Sequence, residues 1–540
     1  MSFKKVVAFI ALFLTVGSLT AATWPDKKPV YMISTNSAVS LQPIATTGDV
    51  ISGTVIRGIP DGMGAFANGK GGITILSNHE VSTTDKIALR SASTSSNWGV
   101  SITQLNYSPS AKNITSAQPL IKNISYFNYK TGKYVDSPIG GEPAGAATGS
   151  FGFGISRFCS ATYSPAGTFS FNGLGYDGAL FTTGEEVGDS SRGFAFDMDG
   201  NGYQLPRMGM TSFENIIPNT KPGINTVALG NEDGSATDSQ LHLYVGKKQS
   251  TGSAVDKAGL TNGDLYVLNI PTVATDNIFR TTIAKSTPVD ATFKKIEWNT
   301  DVPSFAKGAR DNGFTFARIE DGNWDPNNPN IYYFITTESN KDPVATKENP
   351  SEPGISRDGG GLWRLTFKDA QNPLEGAKLE LLLNGGEAPY LSKPDNMTVT
   401  SDGVIVLQED PGNNAHVARV VAYRIKDGKL ATIATFDPQY FTASGSKYMT
   451  VDEESSGIID VSSLLRKGND KNSYFFLNAQ IHTYSGVTSV DSSVKGALSP
   501  SRPDLIKRNT ARRLALDNTT VEGGQYYTMT ITNWDGIFTS

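Results

Sequence analysis

The sequence predicts an all-β protein, a six-bladed β-propeller carrying long loops over a metal-binding face. Three observations carry that expectation. Short β-branched or aromatic runs recur between Gly, Asn, Asp and Pro, among them QLHLYVG, DLYVLNI, NIYYFITT, GLWRLTF, GVIVLQ, RVVAYRI and SYFFLNAQI, whereas apolar residues at helical spacing are few. The composition fits a turn-rich chain, with 55 Gly and 27 Pro in 540 residues and only 18% charged residues. Finally, apolar runs end repeatedly on carboxylates: Glu80 in ILSNHE, Glu185 and Glu186 in LFTTGEE, Glu232 and Asp233 in ALGNEDG, Glu320 and Asp321 in FTFARIED, Glu409 and Asp410 in VIVLQED, and Asp452, Glu453 and Glu454 in YMTVDEE.

Strand modules of roughly 40 to 80 residues favour a propeller over a sandwich, and the six acidic strand ends set the blade number at six. Gathered carboxylates raise one another's pKa and oppose folding. Hard cations make such convergence favourable, because Ca²⁺ takes six to eight oxygen ligands. The expectation is therefore a multi-metal site at one end of the propeller channel, holding several Ca²⁺.

Taken in order, residues 1–22 read as a signal peptide. Lys4 and Lys5 form its charged region, Val6 to Val16 its apolar core, and Thr20, Ala21 and Ala22 a small-residue cleavage site. Cleavage after Ala22 would leave residues 23–540 as a single propeller domain, periplasmic or secreted. No later stretch is long and apolar enough for a transmembrane segment. A net charge of −5 and a pI near 5.6, with no basic patch interleaved with aromatics, argue against a nucleic-acid surface. A monomer is expected.

The paired runs NIYYFITT and GLWRLTF, and GVIVLQ and RVVAYRI, read as antiparallel neighbours within a blade. DMDGNG, Asp197 to Gly202, copies the first half of a calcium loop, but Met208 stands where that loop needs a bidentate Glu, so it reads as a hairpin turn. Four His are thin material for a zinc site, and only His79, beside Glu80, is placed to orient or bind anything. No GxSxG, HExxH or phosphate-binding glycine loop occurs. Cys159, the single cysteine, reads either as a small buried hydrophobe or as a thiolate ligand. In ARIEDGNWDP, Arg318 and Glu320 share one strand face, which gives either a surface ion pair or a metal-bound Glu320 beside an anion clamp. Asp395 in DNMTV is either a turn residue or an oxygen ligand. Two long loops are expected, Glu338 to Gly361 and Ser485 to Ala511.

In this order, NHE, a Cys-Ser segment leading to GEE, GNEDG, RxEDGxWDP, DNxTxxxDGxxxxQEDPGNN and DEESSGIID, the chain resembles the PhoX-type alkaline phosphatase family, as a divergent branch, from about Ser37 to Gly524. The resemblance implies a six-bladed propeller binding calcium and iron (Fe³⁺). Carried over, Cys159 would ligate iron. Glu80, Glu185 or Glu186, Glu232 or Asp233, Glu320, and Glu409 or Asp410 would complete the cluster, and Arg318 would hold substrate phosphate. The chain departs from the family in having Lys4-Lys5 in place of a twin-arginine signal and Gly184 in place of a cysteine.

The reading is an exported metal-dependent phosphoester hydrolase acting on a small phosphorylated substrate, with Arg318 and Glu320 as its catalytic residues. A calcium-dependent lactonase or esterase propeller, and a non-catalytic calcium-stabilised binding propeller, are the alternatives. Cys159→Ser separates the first alternative, which needs no thiolate; metal removal lowering stability alone separates the second.

Overall fold

The computed structural model describes residues 30–83, 99–338, 347–349, 352–357, 359–411, 417–442, 444–447, 449–482 and 522–539. The expected signal segment 1–22, part of Glu338 to Gly361 (339–346, 350–351 and 358) and the whole of Ser485 to Ala511 lie outside them.

Among the described residues the strands form six four-stranded antiparallel blades. Their innermost strands are Pro60–Ala67, Phe158–Ser164, Phe213–Pro218, Ile319–Asp325, Pro394–Val399 and Glu453–Asp460. Each of these contacts the next, and the sixth contacts the first, so the ring is closed around a central channel. The expected neighbours pair as read: Asn328–Thr336 with Gly361–Phe367, and Val404–Glu409 with Arg419–Arg424. DMDGNG is a hairpin turn, its Asp197 carboxylate accepting from the Asp199 and Asn201 amides. Strand Val289–Ile296 pairs with the outer strands of blades three and four and joins them into one nine-stranded sheet.

Blade six is closed by the two ends of the fold. Its inner three strands are Glu453–Asp460, Ser473–Ile481 and Gly523–Ile531, and its outermost strand is Val39–Thr46.

The apolar runs are nearly continuous because both faces of each blade are buried. In Val404–Glu409, Val404 and Val406 pack towards blade six with Leu477 and Tyr527, while Ile405 and Leu407 pack towards blade four with Tyr333 and Leu383. Period-two alternation sends successive side chains to opposite faces, and here each face meets a neighbouring sheet.

All six innermost strands carry a pairing irregularity at the same level. It falls between Pro60 and Met63, Phe158 and Ala161, Phe213 and Asn215, Ile319 and Gly322, Pro394 and Met397, and Ser455 and Ile458. A bulge re-aims the side chain it displaces. The displaced positions hold Asp61, Cys159, Glu214, Glu320, Asp395 and Ser456.

Candidate metal centre

Six blades thus deliver one re-aimed residue each to the channel, and the second strand of each blade delivers another from its end. The two sets meet. Ligand atoms of Asp61, Glu80 and Cys159 lie within 4.8 Å of one another; so do those of Cys159, Glu186 and Glu214, and those of Glu214, Glu320 and Asp395. The three groups overlap, sharing Cys159 and then Glu214, so they form one continuous array.

The array is short of counter-charge. Glu214 is fully buried, and neither of its carboxylate oxygens has a hydrogen-bond partner among the described residues. Burial, then the charges of Asp395, Glu186 and Asp61, push its pKa well above the usual carboxylate range. Glu320, Asp395 and Asp61 are raised for the same two reasons. Burial and the Asp61 carboxyl likewise raise the Cys159 thiol, whose Sγ lies 3.1 Å from Asp61 Oδ2. Glu80 is the exception: burial raises it, but Arg157 at 2.6 Å and the Gln480 amide at 2.8 Å outweigh burial and lower it.

Arg318 lies at the rim. It donates two hydrogen bonds of 2.8 Å to Asp233 and faces Glu320 at 3.3 Å. Asp233 and Glu186 are hydrogen-bonded to each other. Asp410 stands on the blade-five side, where its charge raises Asp395 and Glu454. Beside it, His482 donates to Glu522 at 2.6 Å and faces Glu454 at 3.5 Å.

Of the residues singled out from sequence, Glu80, Cys159, Glu186 and Glu320 are gathered in the array, and Arg318, Asp233 and Asp410 border it. Glu185, Glu232 and Glu409 point the other way, as alternation requires. Glu185 is ion-paired with a fully buried Arg192, and Glu409 with Arg419. Glu232 accepts from the Gln240 amide at 2.8 Å, and burial lifts its pKa to about 8. His79 is also turned away. It is bonded to the Gly58 carbonyl and the Thr103 hydroxyl, and burial holds it neutral, with a pKa of about 3.

This separation is testable. Glu185→Ala leaves Arg192 buried and uncompensated, and is expected to cost about 3–5 kcal/mol of folding stability in a denaturant titration. Glu186→Ala, one residue on, is expected to leave metal-free stability unchanged or higher.

Asp61 and Glu214 escaped the sequence reading, and Asp395 was ambiguous in it. A signal was present: aligned on the bulges, IPDGM, RFCSA, SFENI, RIEDG, KPDNM and ESSGI each place the re-aimed residue two positions after a rim residue. Four of those rim residues, Ile59, Arg157, Arg318 and Lys393, have φ between 41° and 57°, the left-handed region that non-glycine residues rarely occupy.

The model of the alkaline phosphatase PhoX family matches residues 193–457. Among solved structures, PhoX of Pseudomonas fluorescens, in complex with vanadate, a transition state analogue, superposes with a TM-score of 0.59 at 10% identity, covering 94% of this chain and 96% of that one. A europium-containing methanol dehydrogenase (TM-score 0.31, 11% identity, 89% of this chain and 74% of that one) and a luciferin-regenerating enzyme (TM-score 0.32, 10% identity, 91% and 95%) are also similar, at superpositions too poor to bear on this chain. No curated protein matches it by sequence.

Proposed function

As a chain of the PhoX alkaline phosphatase type, this protein, we propose, is an exported metal-dependent phosphoester hydrolase. The observation that carries the reading is the overlapping donor array, with the orphaned carboxylate of Glu214 at its join. A buried carboxylate with no partner is costly unless it coordinates a cation.

The donors fit the ions that the family resemblance implies. Asp61, Glu80, Glu186, Glu214, Glu320 and Asp395 offer hard oxygens suited to Ca²⁺. Cys159 offers one sulfur, which suits iron; it has to lose its proton to bind, and among the described residues its hydrogen-bond partners are the carboxyls of Asp61 and Glu80. Bound cations would supply Lewis-acid polarisation of the phosphoryl oxygens and a lower pKa for attacking water.

The chain's own residues do the rest. Arg318, whose Nε and Nη2 bond Asp233, offers the Nη1 side of its planar fork to the phosphoryl oxygens. Asp233 and Glu320 hold that fork at the rim, so it meets the substrate already oriented. Its positive charge faces the charge that develops on those oxygens. Water adds its oxygen to phosphorus, the ester P–O bond breaks, and the alcohol leaves with a proton, so no side-chain nucleophile is required. The enzyme is read as a monomer, periplasmic or secreted, released by cleavage after Ala22; no helix among the described residues is long and apolar enough to cross a membrane.

Elemental analysis of natively produced protein tests the reading, with p-nitrophenyl phosphate as substrate. The expected result is iron with several equivalents of calcium, a visible thiolate-to-iron band, and turnover inhibited by vanadate. Cys159→Ser is expected to lose the band and most of the turnover. Calcium without iron, with full activity in Cys159→Ser, would move the assignment to a calcium-dependent lactonase or esterase.

A further inference from the structure

Arg157 is not part of the reading above, yet it repeats the arrangement of Arg318 two blades away. Each stands two positions before a bulge residue, Cys159 in one case and Glu320 in the other. Each has a left-handed backbone, with φ of 41° and 57°. Each offers its carbonyl to the residue just past the end of its own blade's second strand: Arg157 accepts from the Glu186 amide at 2.9 Å, Arg318 from the Thr337 amide at 3.0 Å.

The guanidinium partners correspond as well. Arg318 is held between Asp233 of the preceding blade and Glu338 of its own. Arg157 is held between Glu80 of the preceding blade, at 2.6 Å, and Glu186 of its own, at 2.9 Å. The Arg157 side chain is the more exposed of the two, 44% against 30%. Glu186 and Asp233, hydrogen-bonded to each other, stand between the two forks.

We propose that Arg157 is a second substrate-binding arm, and that the substrate is a phosphomonoester whose leaving group carries a further anionic group, a carboxylate or a second phosphate. The inference rests on the phosphatase reading and assigns the substrate class of the same site. The two forks stand on different blades, with the Glu186 and Asp233 carboxyls between them. They match two anions on one small molecule, with Arg318 on the scissile phosphate beside Glu320 and Arg157 on the leaving group.

Glycerol 2-phosphate and 2-phosphoglycerate test this, because they differ only in one hydroxymethyl replaced by a carboxylate. For the metal-loaded wild type, KM is expected to be about tenfold lower for 2-phosphoglycerate, the discrimination one charge-assisted pair supplies. In Arg157→Gln the ratio of the two KM values is expected to fall to about one, and in Arg157→Lys to lie between. Calcium and iron contents, measured on each protein, are expected to match the wild type. An unchanged ratio in Arg157→Gln, or a wild type without preference, overturns the inference and leaves the phosphatase reading standing. Loss of metal in both variants overturns it too, making Arg157 a counter-ion for Glu80 and Glu186. A metal-loaded wild type that turns over neither ester overturns the phosphatase reading itself.

Discussion

Glu214→Gln is expected to strip the protein of metal, to lower phosphoester turnover on the order of a thousandfold, and to make the metal-free protein more stable than the wild type. The loss of function follows from position. Glu214 is the one acid shared between the Cys159 group and the Glu320 group, so removing its charge breaks the array at its join. A single preorganised electrostatic group is worth about 10²–10³ in rate, and a shared ligand serves two groups. The gain in stability follows from burial. Both Glu214 oxygens lack partners, and the surrounding carboxyls repel its charge. A neutral amide of the same shape removes that repulsion, a gain on the order of 2 kcal/mol for one poorly satisfied buried group. Metal analysis and thermal unfolding of the metal-free variant read the two effects separately. A variant that retains its full metal content would show that Glu214 is not a ligand.

Metal-free and calcium-loaded protein are expected to respond to pH in opposite directions. Burial raises Asp321 to about 6, Glu454 to about 7 and Glu232 to about 8, and it raises Glu214, Glu320, Asp395 and Asp61 as well. In the unfolded chain these groups titrate near pH 4. Between about pH 4 and pH 8 the folded state therefore holds more protons than the unfolded state, and stability falls as pH rises. Glu80, lowered by Arg157, opposes this, as do the buried His79 and His242, which folding keeps neutral. Calcium binds the deprotonated acids, so its contribution grows with pH and reaches about 4 kcal/mol at a thousand times Kd. Melting temperatures measured from pH 5 to pH 8, with calcium and with a chelator, are expected to diverge. Parallel curves would mean that the array holds no calcium.

The ring of blades was legible because buried two-faced strands read as unbroken apolar runs, and because a carboxylate at the end of such a run stands out. What stayed hidden was the direction in which each acid points. Glu185 and Glu186 are equally acidic and adjacent; the pairing register decides that one meets Arg192 inside the blade and the other meets the channel. Asp61 and Glu214 were hidden for a related reason. They sit within their strands, in IPDGM and SFENI, and reach the channel only because the ladder slips there. A slip is a property of two strands together, so neither strand's own sequence announces it. The weak repeat that runs through the six inner strands is its only trace, and it becomes visible once the bulges supply the alignment.

The strand Val39–Thr46 lies on blade six against Gly523–Ile531, and the Tyr31 amide reaches Gln525 across 494 residues of chain. During vectorial synthesis the strand Val39–Thr46 has to wait, unpaired, until Gly523–Ile531 is made. The clasp cannot shut on a partial chain, and the array draws on every blade from the first to the fifth. Ions that enter before the clasp shuts meet an open arc of donors; those that enter afterwards meet a finished ring. Closure of the ring around the centre is thereby tied to the arrival of Gly523–Ile531, and a chain clipped before that strand carries the donors without the clasp that closes blade six.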